Sequence, residues 1–362
     1  MEKKRVTQLD VAKVAGVHRG TVSLALKHHP SIPQKTRDRI IKIAEELGYQ
    51  PDPLLSALAA YRTHSRQQRS FKGTLAWLLI QDPDKPMGWK HSPIYSQYYA
   101  GAKARASQYG YTLEEFETPK SKSSLKHIAS VFRARNISGV LMCPQARPNA
   151  AVDFEWDDFS FVTFGYTLSQ PALHTVSATQ YRATVQLIKK MQAYGYRRIG
   201  LVFDHTHSER TDNNYLAGYL AAQYSSKEKP IVFDNYRVED SKFLKMLHSK
   251  DRPDAIVSGN ESLHEYLKKN GIRVPEDIGV ACPVLSKKDG DMSGIFEDSF
   301  HIGEVAVDKL TNMIMRSERG IPEQVQRTLI EGKWIEGKTL PDKNKKASRK
   351  PRKRAASKTP KA

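Results

Sequence analysis

The sequence predicts an all-α helix-turn-helix headpiece with a hinge helix, then a two-lobed α/β body built on parallel sheets, then a disordered basic tail. Three observations carry this. Residues 6–48 hold three short segments of helical apolar spacing, with Gly16 after the first and Gly48 after the third. Residues 73–316 alternate strand-like and helix-like segments twice over, the pattern of a parallel sheet covered by helices. The charge sits at the two ends: of a formal +19, residues 1–70 carry +7 and residues 343–362 carry +10, leaving +2 for everything between.

Thr7 is a helix N-cap, with Asp10 at the third helical position, close to a capping box. Val11, Ala12, Val14 and Ala15 give an apolar face, and Gly16 suits the tight turn that follows. A second helix runs from about Arg19 to Leu26, with Val22, Ala25 and Leu26 facing the first. Two helices joined this way place the second in the DNA major groove, its first residues at base edges. A third helix begins near Pro33 and ends at Gly48, closing a small core with Ile40, Ile41, Ala44 and Leu47. Asp52 and Pro53 then open a fourth helix over about 53–61. It is too short to hold in water unaided, so it forms only against a partner.

The strings VTQLDVAKVAGVHRGTVSLALK, IPQKTRDRI and AEELGYQPDPL resemble the headpiece and hinge of the LacI/GalR family of bacterial repressors. By position, the resemblance makes His18, Arg19 and Gly20 the opening of the recognition helix, with Arg19, Gly20 and Leu24 where the family reads bases. Thr21, Ser23, Lys27, Ser31 and Thr36 fall where it holds phosphates, and Thr7 joins them as a DNA-binding position. Leu58 falls where a hinge leucine wedges into the minor groove, and Leu55 replaces a position more often alanine. The chemistry agrees: Arg19 suits a bidentate pair with guanine, hydroxyls and Lys27 suit phosphates, and a leucine wedge bends a duplex.

After a polar, basic linker over 62–72, the body runs from 73 to 340 and the tail from 341 to 362, with residues 1–61 as the DNA-binding domain. GTLAWLLI, ISGVLMC and FSFVTF read as strands of one half; RRIGLVF, PIVFDNY, DAIVSG and IGVAC read as strands of the other. Helical stretches separate them, ending in FHIGEVAVDKLTNMIMRS. Two such halves suggest two doubly wound lobes with a cleft at their strand ends. GYRRIGLV, PDAIVSGNE, KKNGIRVPEDIGVA and IGEVAVDKL resemble the effector-binding core of the same family, itself similar to periplasmic binding proteins. That resemblance implies three crossings between lobes, near 168–176, near 286–296 and just before 325–335.

It also implies an effector pocket, and there this chain departs. Gly165, Thr179, Tyr215 and Val284 stand where the family often has, in that order, an aspartate, a second aspartate, an arginine and a third aspartate to grip a ligand. Asn260 remains of the polar set, with Glu261 beside it, and Tyr95 sits where an aromatic stacks on ligand. Losing four polar groups removes the hydrogen-bond fork that a sugar hydroxyl cluster needs. The site takes a more apolar ligand, or none. The aromatic stretch MGWKHSPIYSQYY reads as a lid at the cleft, or equally as a subunit contact or surface loop.

Two cysteines far apart, Cys143 and Cys282, fit a reducing cytoplasm and small buried hydrophobes rather than a disulfide or zinc site. No signal segment or membrane-length apolar run is present. GxxxxGK[ST], HExxH and GxSxG are absent, and no catalytic constellation, metal or cofactor is expected. The tail is low in apolar residues and highly charged, suited to non-specific DNA affinity. The resulting expectation is a cytoplasmic, homodimeric, sequence-specific repressor. It binds a palindromic double-stranded operator and is modulated by a small molecule, with no membrane partner. The alternative is a ligand-independent architectural DNA-binding protein.

Overall fold

The computed structural model describes residues 6–26, 32–49, 71–85, 88–226, 229–233 and 242–347. Contacts divide the chain after Phe71 into a small head and a larger body. The head comprises α1 (Gln8–Ala15), α2 (Arg19–Leu26) and α3 (Gln34–Glu46). The Asp10 carboxylate reaches back to accept from the Thr7 N–H at 2.9 Å and its hydroxyl at 2.6 Å, which ties down the first turn. Gly16 ends α1 at φ 65°, a left-handed conformation that a side chain would penalise.

Val11, Ala12, Ala15, Val22, Ala25, Ile32, Ile40 and Ala44 form the head's core. Two expected core positions fall outside it: Val14 is 61% exposed, and Ile41 is half-buried outside the cluster. Each lies about 110° round its helix from the centre of the buried face, given 3.6 residues per turn. Ile43 and Leu47 pack against the core from α3 instead. The hinge segment with Leu55 and Leu58 lies outside the described residues, as do Lys27 and Ser31.

The body opens with β1 (Gly73–Gln81), a single turn at Trp89–His91, α4 (Pro93–Gln108), β2 (Tyr111–Pro119) and α5 (Lys122–Ala134). There follow β3 (Gly139–Met142), β4 (Ala150–Ala151), β5 (Ser160–Phe164), β6 (Leu168–Gln170) and β7 (His174–Ala178). Next come α6 (Gln180–Ala193), β8 (Ile199–Val202), α7 (His205–Arg210), α8 (Asn214–Ser226) and β9 (Ile231–Phe233). Then α9 (Lys242–Leu247), β10 (Ala255–Ser258), α10 (Leu263–Lys269), β11 (Gly279–Leu285) and β12 (Ser293–Phe296). The last are α11 (Ser299–Arg316), β13 (Arg327–Ile330), β14 (Lys333–Ile335) and α12 (Lys343–Ala347).

Two six-stranded sheets result, ordered β13-β7-β5-β3-β1-β2 and β14-β12-β11-β10-β8-β9. Every pairing within them is parallel except β12 with β14. In β1, Leu75, Trp77 and Leu79 enter one cluster while Ala76, Leu78 and Ile80 enter another. The two-residue period thus sends both faces into core, as a parallel sheet requires. The chain passes between lobes after β7, after β12 and between β13 and β14, near residues 179, 297–298 and 331–332. The stretch 168–176 expected to cross holds β6 and the start of β7 instead, and 286–296 is a loop ending in β12. Their sequences LSQ, HTVSA and SGIF mix polar residues or glycine into the run and so look like connections.

α4 and α11 cross backbone to backbone through Gly101 and Gly303. A methyl on Gly101 would overlap the carbonyl of Phe300, and one on Gly303 the carbonyl of Tyr98. Trp89 and Tyr98 are buried in this first-lobe core, and Tyr95 and Tyr99 pack against it. The aromatic side chains of this stretch are therefore part of the core. Both cysteines are fully buried, and burial pushes both thiols up. At the far end, residues 341–347 differ from the expected free tail. The Lys343 ammonium pairs with Asp254 at 3.0 Å and lies 3.9 Å from the Tyr196 ring centroid, while Asn344 donates to the Ala193 carbonyl. Residues beyond 347 lie outside the described set.

Candidate DNA-reading head and ligand cleft

His18 immediately precedes α2, and its Nδ1 accepts the Gly20 N–H at 3.1 Å. An imidazole here caps the helix as a serine or aspartate does elsewhere. Gly20 leaves room for it: a Cβ would stand 3.2 Å from that nitrogen. Val22 and Ala25 turn inward, so Arg19, Gly20, Ser23 and Leu24 share the opposite side of α2. His18, Arg19 and Gly20 are exposed, Leu24 is 36% exposed, and Thr21 and Ser23 are half-buried. The Arg19 guanidinium has no hydrogen-bond or ion-pair partner among the described residues. Thr7 is exposed ahead of α1, and Thr36 is half-buried in the first turn of α3.

In the body, a cavity of about 360 Å³ lies where the carboxyl ends of β8, β10 and β11 face the start of α4. The second lobe lines it with Val202, Phe203, Asp204, His207, Asn260, Glu261 and Val284, among others; the first lobe contributes Ser92, Pro93 and Ile94. Ile94 packs against the apolar cores of both lobes. Of the expected ligand residues, Asn260 and Glu261 line this cavity, while Tyr95 and Tyr215 do not. Tyr215 is buried in the second-lobe core, its ring stacked on Phe203 at 4.9 Å, because α8 packs that face onto the sheet. Tyr95 is engaged by a clasp that spans the lobes.

The clasp is Arg210, at the end of α7. It donates through Nη1 to the carbonyls of Gln145 and Ala146, beyond β3, and through Nη2 to the Tyr95 hydroxyl at 2.8 Å. Gln97 adds a second interlobe bond, donating to the Ser286 carbonyl at 3.0 Å. At the second crossing Glu297 is buried. It accepts from the Tyr98 hydroxyl at 2.8 Å and from the Ser299 hydroxyl at 3.1 Å. Burial raises its pKa, and those two donors oppose the rise. Thr179 donates to Glu331 at 3.2 Å and so ties the first crossing to the third.

Residue-by-residue reading misses Arg210, because it stands five positions from the expected arginine and its partners are backbone carbonyls. His207 is missed likewise. Its Nε2 is buried with no hydrogen-bond partner among the described residues, and its ring lies beside Phe203 and Tyr215. The sequence signal available for both was a polar helix directly after a buried strand. No cluster of three or more His, Cys, Asp or Glu that could hold a metal occurs among the described residues. No helix among them is long and apolar enough to cross a membrane.

Residues 7–52 match the model of bacterial regulatory proteins of the lacI family, and residues 76–300 match that of periplasmic binding proteins and the sugar-binding domain of the LacI family. The NTD biosynthesis operon regulator NtdR of Bacillus subtilis is 25% identical over 75% of this chain and 80% of its own. The transcriptional repressor CytR of Escherichia coli is 22% identical over 77% of this chain and 80% of its own. Among solved structures, the lac repressor dimer bound to operator and the anti-inducer ONPF covers 93% of this chain and 99% of its own, at TM-score 0.53 and 20% identity. A putative LacI-family regulator from Rhizobium etli reaches TM-score 0.58 at 18% identity, over 74% of this chain and 99% of its own. The helical head and the two parallel-sheet lobes are those of a DNA-binding regulator, not an enzyme, and the chain belongs to the LacI family of bacterial transcriptional regulators.

Proposed function

We propose that this regulator is a repressor that grips a palindromic operator as a homodimer in the cytoplasm and answers to a small molecule held in its interlobe cleft. The observation that carries the DNA half is Arg19. It is exposed and unpaired, one residue into a helix whose start is held by His18, where a guanidinium meets a guanine edge. Thr7, Thr21, Ser23 and Thr36 set the register on phosphates, with Lys27 and Ser31 from the intervening stretch. Two copies of the hinge segment meet at the operator centre, where Leu58, flanked by Leu55, wedges a base step apart. Ligand that favours one angle between the lobes changes hinge spacing and so the stability of the hinge helices. Relatives named as repressors, and a lac repressor dimer bound to operator, support this reading.

Arg210 favours the second reading, a ligand-independent architectural DNA binder, since its bonds join the two lobes through protein groups alone. Selection of bound duplexes from a random library decides between them. A repressor enriches one inverted repeat; an architectural protein enriches bendable sequence with no fixed motif. Absence of any enrichment refutes both.

A further inference from the structure

The cleft holds an unbalanced charge. Its lining includes two carboxylates, Asp204 and Glu261, and no lysine or arginine. The two leave neighbouring strands: β8 pairs with β10 with Val202 opposite Ser258, and Asp204 and Glu261 follow two and three residues later. Adjacent strands stand about 4.8 Å apart, and both carboxylates follow neighbouring strands at the carboxyl end of the sheet. One oxygen of each is engaged: Asp204 Oδ1 accepts the His207 N–H at 3.3 Å, and Glu261 Oε1 accepts the Ser286 N–H at 2.8 Å. The second oxygens make no hydrogen bond among the described residues. The nearby cation, Arg210, is committed to two carbonyls and a hydroxyl. His207 does not restore the balance, because burial, and then Arg210, lower its pKa and keep the ring neutral.

The sequence points to an apolar ligand or none, but the polar groups on this lining reverse that, and we infer that the cleft takes a small hydroxylated ligand carrying a protonated amine, such as an amino sugar. This rests on reading the cleft as the effector site. An ammonium in the cleft makes charge-assisted bonds to the free oxygens of the half-buried Glu261 and the exposed Asp204. A neutral sugar would cover the half-buried Glu261 carboxylate without supplying a counter-charge, and an anion would be repelled. His207 shares the lining, its ring beside Phe203 and Tyr215. Ile94, Val202, Phe203 and Val284 supply the apolar ground for ring faces. The volume of about 360 Å³ fits a ligand of this size.

The test is the melting temperature of the full chain with millimolar glucosamine or galactosamine, glucose or galactose, and glucose 6-phosphate or glucuronate. The amines are expected to stabilise and the others not. Glu261→Gln and Asp204→Asn should each weaken amine binding by roughly tenfold or more, the worth of a charged hydrogen bond. Either amide oxygen still accepts the backbone N–H, so fold is kept. Glu265→Gln, on the exposed side of α10, should leave binding unchanged. Stabilisation by neutral or anionic sugars as strong as by amines overturns the inference, as does no stabilisation by either amine, or amine binding indifferent to both amide variants. A chain that selects an operator and ignores amines sinks this inference alone. One that binds amines and selects no duplex sinks the regulator reading alone.

Discussion

Arg19 and His18 divide the work at the start of α2: one reaches outward, and the other holds the first turn through its Nδ1. Replacing Arg19 by alanine should relax preference at one base pair in each half-site, about 1–3 kcal/mol of discrimination. Competition binding against duplexes substituted at each position measures it, and an unchanged base profile counts against the assignment. The residue types and spacing made this surface legible, since Val22 and Ala25 mark the inward side of α2 and leave Arg19, Ser23 and Leu24 outside. The cap was not legible, because a bond from a ring nitrogen to a backbone N–H two residues on depends on a rotamer that sequence does not display. The same limit hid the cleft: Tyr95 and Tyr215 are aromatic at suggestive positions, yet one is engaged by Arg210 and the other is stacked on Phe203.

At the scale of elements, the α4–α11 crossing and the strands between lobes decide how the body holds. Gly303→Ala forces apart two helices in backbone contact and should cost about 1–3 kcal/mol, as overpacking does. The denaturant midpoint reports it, and an unshifted midpoint would mean the helices are free to separate. Glu297 makes a second, pH-dependent prediction. Its folded-state pKa is raised by burial, so the folded state binds the proton more tightly than the unfolded chain. Its contribution is fully present below the ordinary carboxylate range and is lost as pH rises through the raised value. Glu297→Gln keeps an acceptor for Tyr98 and Ser299 and should flatten that decline. Melting curves from pH 4 upward that remain parallel for the two proteins contradict it. The apolar runs of β1 and β11 are readable as strands, whereas β7 (HTVSA), β12 (SGIF), β13 (RTLI) and β14 (KWI) mix polar residues or glycine into short runs and look like connections. That is why the expected crossings fell early.

For the whole molecule, the uneven charge predicts how DNA binding responds to salt. Seven lysines and arginines lie beyond residue 347, while Lys343 is held on Asp254. Truncation after 347 should therefore leave the lobe intact and reduce the magnitude of the log-affinity against log-salt slope by at most about 6. An identical slope would mean that the tail does not touch DNA. The two-lobed architecture was legible from twofold alternation of strands and helices, but the clasp was not, since it joins Arg210 to backbone carbonyls some 65 residues away in sequence. The central claim is that the head reads sequence rather than charge alone. The measurement that tests it most directly is the ratio of affinities for a selected inverted repeat and a scrambled duplex of equal composition, at near-physiological salt. A ratio of about 10³ or more is expected of a sequence-specific regulator; a ratio near one would contradict the account.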